Sequence, residues 1–276
     1  NRQKGPRPRA WVGRNLQRVA RSTREWGETM ISRVGLSLVY HEFLERTRDR
    51  WVAVASVLFG LLACGTTIYG RSSGAAADAL TGPSLVTLAS LLVPLVGSVL
   101  GHDAIVGERE RNTLGLLLSL PITRGEVVVA KFLGRLCALG VATLTGLCAA
   151  ALLGGTSQLP MLIALVWPTL LLGAAFLALG ILVSSLTSRQ VTAASIIVAL
   201  WFVFVFFYDL GLLGLVVVTD GAISQSTVAQ MVYANPSGLF RVQMMAHFAG
   251  PDVLEGLGMT VGLPSTTASN LIWLAW

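Results

Sequence analysis

The sequence predicts an all-α, polytopic integral membrane protein, and three observations predict it. Of the 276 residues, 54% are hydrophobic and only 12% are charged, about half the 25% usual in a soluble domain. Mean hydropathy is +0.70. Five stretches supply the roughly 20 apolar residues that a helix needs to cross a hydrocarbon core about 30 Å thick, and a sixth begins at the C-terminus. A soluble globular enzyme and a disordered chain are both excluded.

Taken in order, residues 1–32 form a basic tail without hydrophobic periodicity, expected to be disordered. Residues 1–50 hold 12 Lys/Arg against 5 Asp/Glu, and the remaining 226 hold 8 against 9. A basic arm ahead of membrane spans reads as facing anionic lipid, not nucleic acid. No apolar core follows it, so it is not a signal peptide, and whether Met30 is the native start stays open. The transmembrane domain is expected over 33–276. It opens with an amphipathic helix over 36–50, with Leu36, Val39, Tyr40 and Phe43 on one face. His41, Glu42, Glu45, Arg46 and Asp49 lie on the other, with Glu42 and Arg46 paired at i,i+4. We expect it to lie on the membrane surface with its charges in water.

Spans are expected at about 51–69, 83–101, 132–153, 161–186, 191–218 and, incomplete, 268–276. A small polar return loop, 70–80, joins the first two. Arg135 sits close enough to the end of the third to snorkel. Asp209 falls in the outer third of the fifth, where facing lipid is expensive, so a dimer seam or an outer cavity is expected around it. The outer segment, 219–267, contains Asn235-Pro236, a helix start. The last run is nine residues long, too short to cross, and the sequence is expected to stop inside a sixth span. Placing the N-terminus in the cytoplasm leaves 18 of 20 basic residues inside, with only Arg71 and Arg241 outside.

The spans lack the mid-membrane acids and histidines of ion-coupled transporters and intramembrane proteases. The only lysines, Lys4 and Lys131, sit in no phosphate-binding loop, so nucleotide energy has to come from another polypeptide. No catalytic residue, bound cofactor or metal is expected. Cys64, Cys137 and Cys148 lie in apolar runs and read as small packing residues. Gly97 and Gly101 form a GxxxG in the second span, which either permits close helix approach or means nothing.

The most informative stretch is 103–126, between the second and third spans. Glu108, Arg109, Glu110 and Arg111 alternate in sign, and an apolar run from Thr113 to Leu120 follows, ending at Pro121. It reads either as a short docking helix, offering a partner charges and burial area, or as a solvated loop. The segments 107–120, 121–124 and 131–134 resemble the signature of ABC-2 type permeases. The resemblance implies a six-helix ABC-2 type transmembrane domain in which this stretch is the coupling helix. It docks on a separate ATPase, which binds the ATP, through Gly107, Glu108, Arg109, Glu110, Arg111 and Thr113. Glu108 and Glu110 would pair with basic residues of that ATPase. Asn112 stands where glycine is common.

HEFLERTRDRWVAVASVLF, LASLLVPLVGSVLGHDAIVGE, LWFVFVFFYDLGLLGLVVVTDG and ANPSGLFRVQMMAHFAG together resemble the NosY family. Its members are membrane subunits of an ABC complex that matures nitrous-oxide reductase. That resemblance implies a homodimer in the bacterial inner membrane, a NosF-like ATPase and a NosD-like periplasmic subunit. It also implies a role in assembling a copper–sulfur centre. The outer residues Met231, Met244, Met245, His247 and Met259 include soft ligands suited to Cu(I). However, Met244 and Met245 are adjacent and point apart on a helix, and Phe240, Met244 and Phe248 make an apolar stripe. Packing against lipid or a periplasmic partner is the reading adopted. Asp209, Asn235, Arg241, Met244 and Met245 are the candidates for that partner or cavity, Arg241 by orienting a carboxylate or by facing headgroups. Two other readings stay open: an ABC-2 exporter of a drug, lipid or polysaccharide, and a membrane anchor without transport.

Overall fold

Backbone N–H and C=O groups inside a bilayer have no water to bond, so apolar runs satisfy them internally as helices. The computed structural model describes residues 35–48, positions scattered through 52–68, and residues 75–119, 123–154, 159–249 and 266–276. The basic tail, Met30, most of the first expected span, residues 70–74, Pro121 and Met259 lie outside the described residues. Those described form helices and turns: α1 (35–47), α2 (Ala75–Gly101), α3 (Val106–Glu110), α4 (Leu114–Leu117), α5 (Arg124–Gly154) and α6 (Leu159–Leu186). Then follow α7 (Gln190–Phe202), a π-helix (Val203–Phe207), α8 (Tyr208–Val218), α9 (Gln225–Ala234), α10 (Pro236–Ala249) and α11 (Thr266–Ala275). Among the described residues, four stretches are long and apolar enough to cross a membrane: Gly82–Glu110, Arg124–Ala149, Leu159–Leu186 and Gln190–Val218.

Two helices begin well before their apolar runs. The alanine-rich stretch at 75–79 extends α2 back into the expected return loop, since alanine favours helix in water as well as in lipid. For α5 the start is a capping box. Glu126 Oε2 accepts from the Thr123 N–H at 2.6 Å, and Thr123 Oγ1 accepts from the Glu126 N–H at 3.2 Å.

The core is built where α2 crosses α6. A Cβ on Gly97 would lie 2.8 Å from the Gly173 carbonyl oxygen, and one on Gly101 would lie 2.7 Å from that of Leu177. Gly180 meets Gly101 Cα at 2.8 Å in the same way. The GxxxG of the second span therefore seats the fourth span within this chain. Leu85, Val86, Ala89 and Val93 of α2 pack there with Leu165, Leu172 and Phe176 of α6.

The outer segment is not simply laid over the surface. Phe240 and Met244 of α10 enter the same cluster, with Met245 and Phe248 packed against it. Ser224 Oγ accepts from the Thr227 N–H at 3.3 Å and caps α9. Cys137 and Cys148, expected as packing residues, face outward on α5. The α7–α8 span packs through Ala193 and Ile197 against Val106 and Val183 and leaves Val191, Phe207, Leu213 and Val218 exposed.

Candidate functional site

The helix ends that carry the charges converge at one end of the bundle. Lys131 and Arg135 stand four residues apart and so share one face of α5. Between them Gly134 admits α1 at backbone distance: a Cβ there would lie 2.8 Å from both the Val39 carbonyl oxygen and Glu42 Cβ. Glu42 drops into the fork. Lys131 Nζ donates to Glu42 Oε2 at 3.1 Å and Arg135 Nε donates to Glu42 Oε1 at 2.7 Å. Arg135 Nη1 donates to Asp103 Oδ1 at 2.6 Å and to the Leu100 carbonyl. Arg46 closes the ring, 2.9 Å from Asp103 Oδ2 and 3.7 Å from Glu42 Oε1.

Two sequence expectations are corrected here. Arg135 does not snorkel; it is 0% exposed and paired into this ring through its Nε and Nη1. The amphipathic helix does not keep all its charges in water: Glu42 and Arg46 are buried against the bundle, while His41 and Glu45 stay exposed, Val39 and Phe43 are half-buried, and Leu36 is 71% and Tyr40 62% exposed. Glu42 and Arg46 turn inward because charged partners wait for them on the bundle, which a charge beside an apolar bundle requires. Burial raises the Glu42 carboxyl, but the charges of Arg135 and Lys131 outweigh it and hold the group below the ordinary carboxylate range.

The 103–119 stretch is then tied down charge by charge. Ser184 Oγ accepts from the N–H groups of Ile105 and Val106, each at 3.0 Å, and so caps α3. Glu108 Oε1 accepts from Lys131 Nζ at 3.0 Å, and its other oxygen takes the Thr113 hydroxyl. Arg109 donates to the Thr187 and Ser185 carbonyls, placing a cation at the C-terminal end of α6. Glu110 Oε1 accepts from the Gln190 N–H at 2.7 Å, placing an anion at the N-terminal end of α7.

Arg111 is left outward, 4.0 Å from Glu45 on an exposed rim. Asn112 follows with φ +58°, a left-handed turn, which explains why glycine suits that position. Beyond it Leu116 and Leu118 are exposed. Gly107 is buried under Asp103, whose Cβ would lie 3.5 Å from a Cβ at that glycine.

At the opposite end, Asp209 and Arg241 were separate candidates in the sequence, and they form an ion pair with each other. Asn235 Nδ2 donates to the Phe204 carbonyl at 2.6 Å, inside the π-helix. Its Oδ1 accepts from the Ser237 N–H at 3.1 Å and caps α10. The π-helix widens the backbone ladder and leaves a carbonyl for that amide. Tyr208 donates to the Met231 carbonyl at 2.6 Å. Met244 is buried in the core, Met245 and Met231 are half-buried, and His247 is exposed. Among the described residues no three His, Cys, Asp or Glu side chains gather as a metal site.

The buried ring at the charged end is the feature that sequence reasoning missed. Its available signal was Lys131-x-x-Gly134-Arg135 facing Glu42-x-x-x-Arg46, two i,i+4 pairs with a glycine gap between the cations.

Among the described residues, four helices long and apolar enough to cross a membrane, with a charged end tied to the short helix α3, define the class of a multi-pass membrane protein. The comparisons give the family: the family model described as "ABC-2 family transporter protein" matches residues 36–276, and the chain belongs to that family. It is similar to the "Probable ABC transporter permease protein NosY" of Pseudomonas aeruginosa, 35% identical over 246 residues, 85% of this chain and 89% of that one. The protein of the same name from Stutzerimonas stutzeri is 33% identical over 253 residues, 85% of this chain and 90% of that one.

Proposed function

We propose that this chain is the membrane subunit of an ABC complex, present in two copies in the inner membrane with its N-terminus in the cytoplasm. The chain itself is not catalytic; a separate, NosF-like ATPase binds ATP and docks at the charged end. The contact surface is the outward part of the 103–126 segment, with Arg111 as its charge and Leu116 and Leu118 as its apolar area. ATP-driven closure of the two ATPase subunits moves this end, and α2, α5, α6 and α7 carry the displacement to the outer α9–α10 region. There a NosD-like periplasmic subunit engages the chain near Asp209, Asn235 and Arg241.

In this reading the output serves assembly of the copper–sulfur centre of nitrous-oxide reductase, by export of a sulfur or copper species or by transmitted motion. The carrying observation is the likeness to the two NosY permeases along 85% of the chain. Supporting it is the convergence of α1, α5, α6 and α7 on the short helix α3 and its end, an arrangement suited to a mechanical input. The test is the copper content and visible spectrum of nitrous-oxide reductase from a strain lacking the gene. The expected product lacks the catalytic copper–sulfur centre and keeps its electron-transfer copper. A fully loaded reductase would contradict the maturation role and favour export of a drug, lipid or polysaccharide.

A further inference from the structure

The charged end contains a balanced set of ions. Glu42, Asp103 and Glu108 supply three negative charges, and Arg46, Lys131 and Arg135 supply three positive ones, linked without a break. Five of the six are buried, and Glu108 alone is partly open, its side chain 23% exposed. Glu108 is also the only member on the short helix α3. Lys131 Nζ lies between Glu42 on α1 and Glu108 on α3, at 3.1 and 3.0 Å. If Glu108 left to pair with a partner protein, one unit of positive charge would remain in the buried ring. Desolvated charge without its counter-charge is strongly disfavoured. The neighbours on α3 reinforce the hold, Arg109 on the end of α6 and Glu110 on the start of α7.

From this we propose that Glu108 is a positioning residue held by the membrane domain itself, and that Lys131 pins α3 to α1. Under this arrangement α1, α3 with the α4 turn bonded to it through Thr113 and Glu108, and α5 move as one body when the ATPase moves. The inference rests on the reading of 103–126 as the coupling segment and changes what its acidic residues do. Glu108, Arg109 and Glu110 bond within the membrane domain, as the junction between helices, and the contact with the ATPase falls to Arg111 and the residues after it. The interfacial helix thereby becomes part of the moving body. Its exposed Leu36 and Tyr40 carry that motion along the lipid boundary.

The experiment has two arms. In the first, Glu108→Gln, Lys131→Met and the double variant are melted as the permease alone, without ATPase. An internal pair predicts a fall of several degrees for Glu108→Gln in the wild-type background, and a fall less than half as large in the Lys131→Met background. Equal falls in both backgrounds overturn the proposal. In the second, spin labels are placed on exposed positions, Tyr40 of α1, Gly115 of α4 and Val129 of α5, with Cys64, Cys137 and Cys148 replaced. In the full complex the 40–115 and 40–129 distances are expected to stay the same between nucleotide-free and ATP-trapped states, and Glu108→Gln is expected to broaden only the first. A 40–115 distance that changes with nucleotide in the otherwise wild-type complex overturns the one-body claim. If Glu108→Gln releases the ATPase and leaves the melting of the isolated permease unchanged, the carboxylate belongs to the partner. The pin is then wrong, while the coupling reading stands. An ATPase that never binds the wild-type permease overturns the coupling reading itself.

Discussion

Replacing Arg135 by methionine removes the centre of the buried ring while keeping most of its volume. Glu42 then retains Lys131 at 3.1 Å and the weaker contact to Arg46 at 3.7 Å, and Asp103 retains Arg46 at 2.9 Å. The Leu100 carbonyl loses the guanidinium that satisfied it. Three carboxylates then face two cations in a buried site. Breaking such a set from one side costs about 3–5 kcal/mol, equivalent to about 6–20 °C in melting temperature for a chain of this size. Arg135→Lys keeps the charge but not the planar fork, and one ammonium cannot reach Glu42, Asp103 and Leu100 together, so its loss falls in between. The control is Arg111→Met: its partner Glu45 is 4.0 Å away on an exposed rim, a pair worth about 0–1 kcal/mol. The assay is thermal melting of the purified permease in detergent, followed by monodispersity on a sizing column. If Arg135→Met melts with Arg111→Met, the ring is not holding α1 and the 103–119 stretch to the bundle.

Three further outcomes are expected. Gly101→Val drives a side chain into the Leu177 carbonyl and Gly180 Cα, at 2.7 and 2.8 Å from the first added atom; this overpacking costs about 1–3 kcal/mol or more. By the same melting assay Gly115→Ala, with open space around it, stays within about 0.5 kcal/mol of wild type. Because the Glu42 carboxyl is held below its ordinary value of 4.5, the stability gap between wild type and Glu42→Gln is full at neutral pH. It closes only as pH falls below that value; a gap that closed near pH 7 would contradict the assignment. Asn235→Ala forfeits both the cap on Ser237 and the bond to Phe204, a loss of about 1–2 kcal/mol. Asn235→Asp keeps the cap and loses the donor, so limited proteolysis of the outer segment is expected to speed up in both.

The long helices were legible because hydropathy and length suffice for them: α5, α6 and the α7–α8 span lie over the apolar runs at 132–153, 161–186 and 191–218. Helix starts outside the apolar run were not, since Thr123-x-x-Glu126 is a local hydrogen-bonding signal that an average of hydropathy does not register. The π-helix escaped as well, because the amide that occupies its carbonyl comes from Asn235, 31 residues away. Amphipathicity located both faces of α1 but not which one meets the protein. In water the apolar face goes inward; here Glu42 and Arg46 of the polar face do, because partners such as Lys131, Arg135 and Asp103 wait there, while His41 and Glu45 stay exposed. Alternation of sign over 108–111 marked the segment as a place of contact. Periodicity carries no information on whether the contacts are with another chain or, as for Glu108, Arg109 and Glu110, with distant parts of this one.

The central claim is that this end of the membrane domain receives force from an ATPase. The most direct measurement places a photo-crosslinking amino acid at Leu116 on the exposed α4 turn and, in a separate control strain, at the exposed His247 of α10. Both strains produce the whole complex. The account predicts an adduct with the ATPase subunit from Leu116 and none from His247. Adducts from His247, or none from Leu116 in complexes that retain the ATPase, would contradict it.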